Sequence, residues 1–222
     1  VRLPYRNFVK EIVVDTNWGL QELPEFVAIE LVGDDFDVAK INSTLKGFRI
    51  VDQQLHQWQN HLVVYGKMNN PQRVKNKLAL AFPKAAIKIY EKPIYNFAKA
   101  ERCKESKPVS EWEHIILSAN LVDDAKLQQE YLDYHATQFE KWPEVAQGFC
   151  NADFQQLQVF KNGKQLILVI SIPKGKTLDE LNPKTIENNP RVNDWNAQMK
   201  HYQTGIPGTK PDETWVFFKK IN

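Results

Sequence analysis

The sequence is poor in the features that would fix its chemistry at sight. It holds only two cysteines in 222 residues, Cys103 and Cys150. Neither lies in a C-x-x-C or Cys/His spacing, so no metal-binding pattern is encoded. The two suit either free thiols or one disulfide. No apolar run approaches the ~20 residues that a membrane-spanning helix needs. Charge of one sign is missing as well: 29 Lys and Arg stand among 27 Asp and Glu, for a net +2. A nucleic-acid partner would call for a concentrated basic face, and none is written here. There is no G-x-S-x-G elbow, and Gly205-Ile-Pro207-Gly208 lacks the strand and helix that flank a phosphate cradle. The chain opens at Val1 without an initiator methionine or a signal-peptide pattern. That tips the expectation toward a processed, periplasmic or secreted protein rather than a cytoplasmic one.

What is present is ordinary for a soluble globular chain: 42% hydrophobic and 25% charged residues. The length suits one large or two small domains. Residues 1–24 are polar and weakly patterned and read as an N-terminal extension. From Phe26 an apolar run predicts a strand to Val32. Gly33-Asp34-Asp35 offers a turn and helix cap, and Ile41, Leu45 and Phe48 continue at helical spacing. Phe48–Leu55 and His61–Tyr65 read as a strand pair. Asn69-Asn70-Pro71 caps a second helix, with Val74 and Leu78 inward, and Ala86–Tyr90 is a last strand.

The second half repeats this β-α-β-β-α-β order. Trp112–Leu121 is a strand, and Asp123-Asp124 caps a helix reaching about Glu140. A hairpin turns at Asn162-Gly163, a strong short-range signal. Helical turns follow around Leu178–Leu181 and Val192–Met199, and Thr214–Ile221 closes the unit. The join, Pro93–Ser110, is charge-rich and reads as exposed linker. The expected fold is therefore α+β: two tandem ferredoxin-like βαββαβ units, 25–98 and 111–222 with a 99–110 linker. Their sheets would pack face to face as an intramolecular dimeric α+β barrel, a pseudo-dimer within one chain.

Chemistry concentrates in Tyr131-Leu-Asp-Tyr134-His135 and the following Trp142-Pro143-Glu144. Tyr131 and His135 are four apart and share a helix face, a plausible proton-transfer pair near neutral pH. The same spacing, with Leu127, also describes the buried stripe of an ordinary amphipathic helix. Trp195 offers a flat apolar face for a sugar and one N–H, or plain core packing. Glu144 suits orienting a histidine or capping a helical turn. His56 and His61 read as exposed hairpin residues, and His114 and His201 have no evident partners. No metal ligand set is recognised.

In the order of these features the C-terminal half resembles the L-rhamnose mutarotase family. The features are Tyr131-x-x-x-His135, Trp142-Pro143-Glu144-Val145, Gln158-Val-Phe160-Lys-Asn-Gly, Asn193-Asp194-Trp195 and Trp215-Val-Phe-Phe. The resemblance implies cofactor-free interconversion of pyranose anomers, with His135 catalytic and Tyr131, Tyr134, Trp195 and Asn196 on the sugar. Trp142 and Glu144 would support them. The partner implied is a small-molecule sugar. Three departures stand out. The family histidine lies four residues before the Trp of Trp-Pro-Glu, whereas His135 lies seven before, so Gln138 competes for its position. The hairpin tyrosine falls at about Leu157, and a tryptophan pair becomes Trp195-Asn196. A non-catalytic carbohydrate-binding or scaffold protein that keeps the cavity without the acid is the alternative. A monooxygenase or haem-associated enzyme of the same barrel type rests on fold analogy alone. The first half carries no Tyr or His on its equivalent helix and reads as a degenerate partner.

Overall fold

The computed structural model describes residues 25–104 and 109–221, so the expected N-terminal extension lies outside the described residues. The first unit runs β1 (Glu25–Val32), α1 (Val38–Leu45), β2 (Ile50–Trp58), β3 (His61–Met68), α2 (Pro71–Ala81) and β4 (Ala86–Tyr90). Next come β5 (Pro93–Ala98) and a short α3 (Lys99–Arg102). The second unit begins with β6 (Trp112–Leu121), α4 (Ala125–Ala136), α5 (Gln138–Lys141) and α6 (Pro143–Asn151). It continues through β7 (Gln156–Asn162), β8 (Gln165–Pro173), α7 (Leu178–Leu181) and a 3-10 turn at Asn182–Thr185. It ends with α8 (Pro190–Tyr202), β9 (Gln203–Thr204) and β10 (Val216–Lys220). Among the described residues no helix is long and apolar enough to cross a membrane.

All strands belong to one sheet, ordered β4-β1-β3-β2-β10-β6-β8-β7-β5, with β9 beside β6. Each unit alone has the order fourth-first-third-second of a ferredoxin-like fold. The seams are reciprocal. The fourth strand of the second unit, β10, pairs with its own β6 through Val216–Phe218 and with β2 of the first unit through Lys219 and Lys220. The first unit answers with β4, which pairs with its own β1, and β5, which pairs with β7 of the second. β4 and β5 stand at the two ends of this strand order and are consecutive in the chain, separated only by residues 91–92, so the sheet curls into a nearly closed barrel. The expected α+β barrel of two tandem units is thus the observed one.

Alternation along the strands separates three cores. Val27, Ile29 and Leu31 of β1 face α1 and α2, where they meet Ile41, Leu45, Val74 and Leu78. Phe26, Ala28 and Glu30 face the barrel interior, with Tyr65, Phe160, Ile167, Val169 and Phe218 from both units. The other face of the second sheet, with Leu157, Val159, Leu166 and Ile170, looks toward α4, α6 and α8. The barrel interior also holds polar groups. Glu30, 0% exposed, accepts from His61 Nδ1 at 2.7 Å, Tyr90 Oη at 3.0 Å and Gln165 Nε2 at 2.8 Å. A carboxylate so deeply buried persists only with such a complete set of donors.

Several expectations are corrected. The cap of α1 is Asp37, whose carboxylate accepts the Ala39 and Lys40 N–H groups, while Asp35 adopts φ 54° in the turn. The start of the supposed linker is strand β5. His56 and His61 lie inside the barrel, not on an exposed turn, because β2 and β3 extend to Trp58 and from His61. His114 has a partner, Ser171 Oγ, at 2.8 Å. The closing strand is split, with residues 205–215 looping out between β9 and β10. A bulge in β2 between Val51 and Gln54 rests on Gly66, where any Cβ would come within 3.0 Å of the Val51 carbonyl.

Candidate functional site

The site is built on the helix face of the second sheet, and α4 sets its geometry. Asp124 caps α4 by accepting from Lys126 and Leu127 N–H at 2.9 and 3.0 Å. The helix stops at Ala136, where Thr137 turns its N–H and hydroxyl back to the Asp133 carbonyl. The expected run to Glu140 is therefore two elements. Gln138–Lys141 forms a separate turn, and Pro143, suited to a first helical turn, starts α6. This break sends His135 and Gln138 to different places. His135 stays in the last turn of α4 and faces a cavity of about 440 Å³. Gln138 packs beneath it, taking the Tyr95 hydroxyl at 3.0 Å and donating to the Trp142 carbonyl at 3.2 Å.

The cavity size falls within the ~300–1,000 Å³ usual for small-ligand sites. Tyr131, His135, Trp195 and Asn196 all line it. Its floor is apolar, with Phe149 and Phe154 from the α6 region and Leu157, Leu168 and Ile170 from the sheet. Its mouth is polar, with Asn182, Asn196, Lys200, Asp212 and Thr214. Gly148 shapes that mouth: a Cβ there would stand 2.6 Å from the Thr185 carbonyl, so only glycine lets the 182–185 turn lie this close to α6.

His135 Nδ1 lies 2.9 Å from the Tyr131 carbonyl. A carbonyl only accepts, so Nδ1 carries the hydrogen and Nε2 presents a lone pair. Nε2 has no hydrogen-bond partner among the described residues. Burial pushes the imidazole pKa down to about 4, against the opposing pull of that carbonyl. At neutral pH the ring is thus an uncharged base. Tyr131 is held as a neutral phenol, its pKa raised by burial while a hydrogen bond with the Gln203 side chain pulls the other way. The rings are close: Tyr131 lies 4.2 Å and Trp195 5.3 Å from His135, centroid to centroid.

The other expected residues lie around this centre. Trp142 meets Trp195 edge-on at 5.7 Å, with the Arg191 guanidinium over its ring at 3.9 Å. Glu144 faces Arg191 loosely at 3.9 Å, and its backbone carbonyl accepts from Asn189 Nδ2 at 2.7 Å. Tyr134 does not enter the cavity. It backs Trp195 from outside at 6.1 Å, in a surface groove with Trp142 and Tyr202. The ~100° rotation between consecutive positions 134 and 135 sends the two side chains to different sides of α4.

Sequence reasoning missed Tyr95, Gln203 and Trp215, all of which line the cavity. Trp215 Nε1 donates to Gln203 Oε1 at 3.0 Å, so the two clamp the ends of the 205–215 loop. Tyr95 arrives on β5, whose Tyr95–Phe97 alternation was the available signal. It went unread because Pro93 and the charges beyond it suggested a linker. The two cysteines form a disulfide, Cys103–Cys150, tying the segment after β5 to α6. Among the described residues no three His, Cys, Asp or Glu side chains converge as a metal site would require.

Comparison with known proteins reaches the same half of the chain. The L-rhamnose mutarotase family profile matches residues 115–222. A protein of Xanthomonas campestris pv. campestris described as an L-fucose mutarotase is 31% identical over 97 residues, 43% of this chain and 75% of that one. Among solved structures, a ferredoxin-fold protein of Listeria monocytogenes related to antibiotic biosynthesis monooxygenases shares 9% identity. It covers 90% of this chain and 96% of its own at a TM-score of 0.42. A monooxygenase-like protein of Listeria innocua shares 10%, covering 88% and 94%, at 0.41. Similarity at that level carries no inference about chemistry.

Proposed function

We propose, given that the chain belongs to the L-rhamnose mutarotase family, that it interconverts the anomers of a deoxy-pyranose such as L-rhamnose or L-fucose without a cofactor. The observation that carries the proposal is the Nε2 lone pair of a neutral, buried His135 turned toward a sugar-sized cavity beside a neutral phenol. Anomer exchange needs the anomeric hydroxyl to lose a proton while the ring oxygen gains one. His135 Nε2 takes the proton from O1, and Tyr131 O–H gives one to the ring oxygen. The C1–O5 bond breaks as C1=O1 forms, leaving imidazolium, phenolate and an open-chain aldehyde. Rotation about C1–C2 and closure on the other face of C1 return both protons. Trp195 supplies the flat wall for the C–H face of the sugar, and Asn196, Lys200 and Asp212 offer hydroxyl partners at the mouth.

Positioned acid–base groups typically contribute ~10²–10⁴-fold, enough to matter for a reaction that already proceeds in water. Anomer-exchange NMR on L-rhamnose and L-fucose should show faster exchange with the protein present. His135→Ala should remove about that factor while leaving sugar binding by calorimetry intact. Binding without acceleration in the unaltered chain would mark it instead as a carbohydrate-binding protein, and no response across a broad sugar panel would reject both. The Cys103–Cys150 disulfide suits an oxidising compartment, so export to the periplasm or medium is part of the proposal and is checked by fractionation.

A further inference from the structure

The first unit has no catalytic pair of its own, yet it reaches the cavity. We infer that Tyr95, carried by β5 from the first unit, is a positioning residue for His135, so that the active site is completed by both halves of the chain. This rests on the mutarotase reading for its kinetic consequences but not for its geometry.

Four observations converge on Tyr95. It is 6% exposed and lines the cavity. Its ring meets the His135 imidazole at 5.4 Å and 81°, an edge-to-face contact that restricts rotation about the imidazole's χ2. Its hydroxyl donates to Gln138 Oε1 at 3.0 Å, and Gln138 in turn donates to the Trp142 carbonyl. Its other neighbour, Phe139, stacks on it at 5.3 Å and 22°. One side chain from the first unit thus fixes the imidazole and the turn that separates His135 from the Trp-Pro-Glu segment. In the sheet Tyr95 pairs with Val159 and Phe97 with Leu157. Leu157 stands where the family's hairpin tyrosine would fall, so an aromatic ring enters from the adjacent strand instead. Tyr95 lies before the residues that the family profile matches, 115–222, so a family comparison alone does not assign it.

Positioning has a signature that plain packing lacks. His135 owes its low pKa first to burial, opposed by the Tyr131 carbonyl, with no charged side chain contributing. Its facing groups are Tyr95, Tyr131 and Trp195, none of them ionised at neutral pH. Replacing Tyr95 by a smaller side chain admits water beside the imidazole and frees its ring.

The experiment uses the full chain with Tyr95→Leu and Tyr95→Phe. Imidazole ¹⁵N shifts of His135 are followed across pH, alongside kcat and KM for anomer exchange. For Tyr95→Leu the expected result is a His135 pKa at least one unit higher and a kcat lower by ~10–100-fold, with KM changed less than threefold. Tyr95→Phe, which keeps the ring, should hold kcat within about threefold and leave the His135 pKa unmoved. If Tyr95→Leu does not fold, Tyr95→Met keeps more of the bulk and carries the same expectation. An unmoved His135 pKa in the Leu or Met variant overturns the inference, as does a kcat unchanged per folded molecule. Absence of mutarotation in the unaltered chain would instead strike the functional reading, and the titration would still judge the positioning role.

Discussion

The two halves have the same order of elements, yet one is solid and the other hollow. In the first, a connection spanning residues 33–49 carries the single helix α1, and α1 and α2 lie directly on the sheet. Their contact is aliphatic: Ile29, Leu31, Leu55 and Val64 interlock with Ile41, Leu45, Val74 and Leu78, all nearly inaccessible. Branched aliphatic side chains fill such a layer at crystal-like density. In the second, residues 122–155 carry α4, α5 and α6, and the facing side chains are broad and flat: Tyr131, His135, Phe149, Trp195 and Trp215. Rings meeting edge-on hold the layers apart, and each polar edge resists being sealed without a partner. A duplicated fold thus acquires a site through longer connections and planar residues on one side, while its other copy serves as scaffold.

The sharpest way to break this comparison is to remove the same volume from both layers. Leu78→Ala, in the solid half, should cost ~2–5 kcal/mol because it opens a cavity among fully buried neighbours. Leu168→Ala, on the floor of the hollow, should cost less than about 2 kcal/mol, since space already lies on one side of it and little new void is created. Urea unfolding measures both. Equal losses would mean that the hollow collapses in solution.

The disulfide joins the two halves: it ties the segment just after β5, the strand that delivers Tyr95, to the helix that carries Val145 and Phe149. Cys103 and Cys150 are 47 residues apart in sequence. Cross-linking a loop of that size restricts the unfolded chain by an amount worth ~2–4 kcal/mol. The Cys103→Ser/Cys150→Ser double variant should lose about that much, a Tm drop of roughly 5–15 °C for a chain of this size. A thermal midpoint unchanged within a degree would argue that α6 is held by packing alone.

Legibility followed the range of the determining interaction. Asn69-Asn70-Pro71, Asn162-Gly163 and Asp124 are local signals, and the starts they mark were read correctly. The Tyr131–His135 face was readable from helical spacing alone. What failed depended on distant partners. β5 exists because β7, some sixty residues later, offers it a ladder, and a proline at its start outweighed the alternation behind it. His56 and His61 were expected in solvent because nothing local announces Glu30 and the barrel around them. The different placement of His135 and Gln138 depends on where α4 ends, and boundaries of helices are set by caps that sequence marks only weakly.

A further expected effect concerns pH, and it separates the stability of the fold from the activity of the hollow by the pH at which each fails. Burial, the leading cause in each case, lowers the pKa of His135 in the cavity and of His56 and His114 in the barrel to about 4. In the unfolded chain each would titrate near ~6.5. Between those values the unfolded chain binds more protons, so the stability associated with neutral histidines is full above about pH 6.5, declines as pH falls, and is lost below about 4. Under the proposed mechanism catalysis behaves differently. It requires only that His135 be neutral in the folded protein, so kcat/KM should stay flat from pH 8 to about 5 and halve only near 4. At pH 5 the protein should therefore unfold more readily in urea while each folded molecule turns over at its full rate. Initial rates and unfolding curves at matched pH test this. An activity midpoint near 6.5 would place the imidazole in water, and the hollow would no longer be the site of its chemistry.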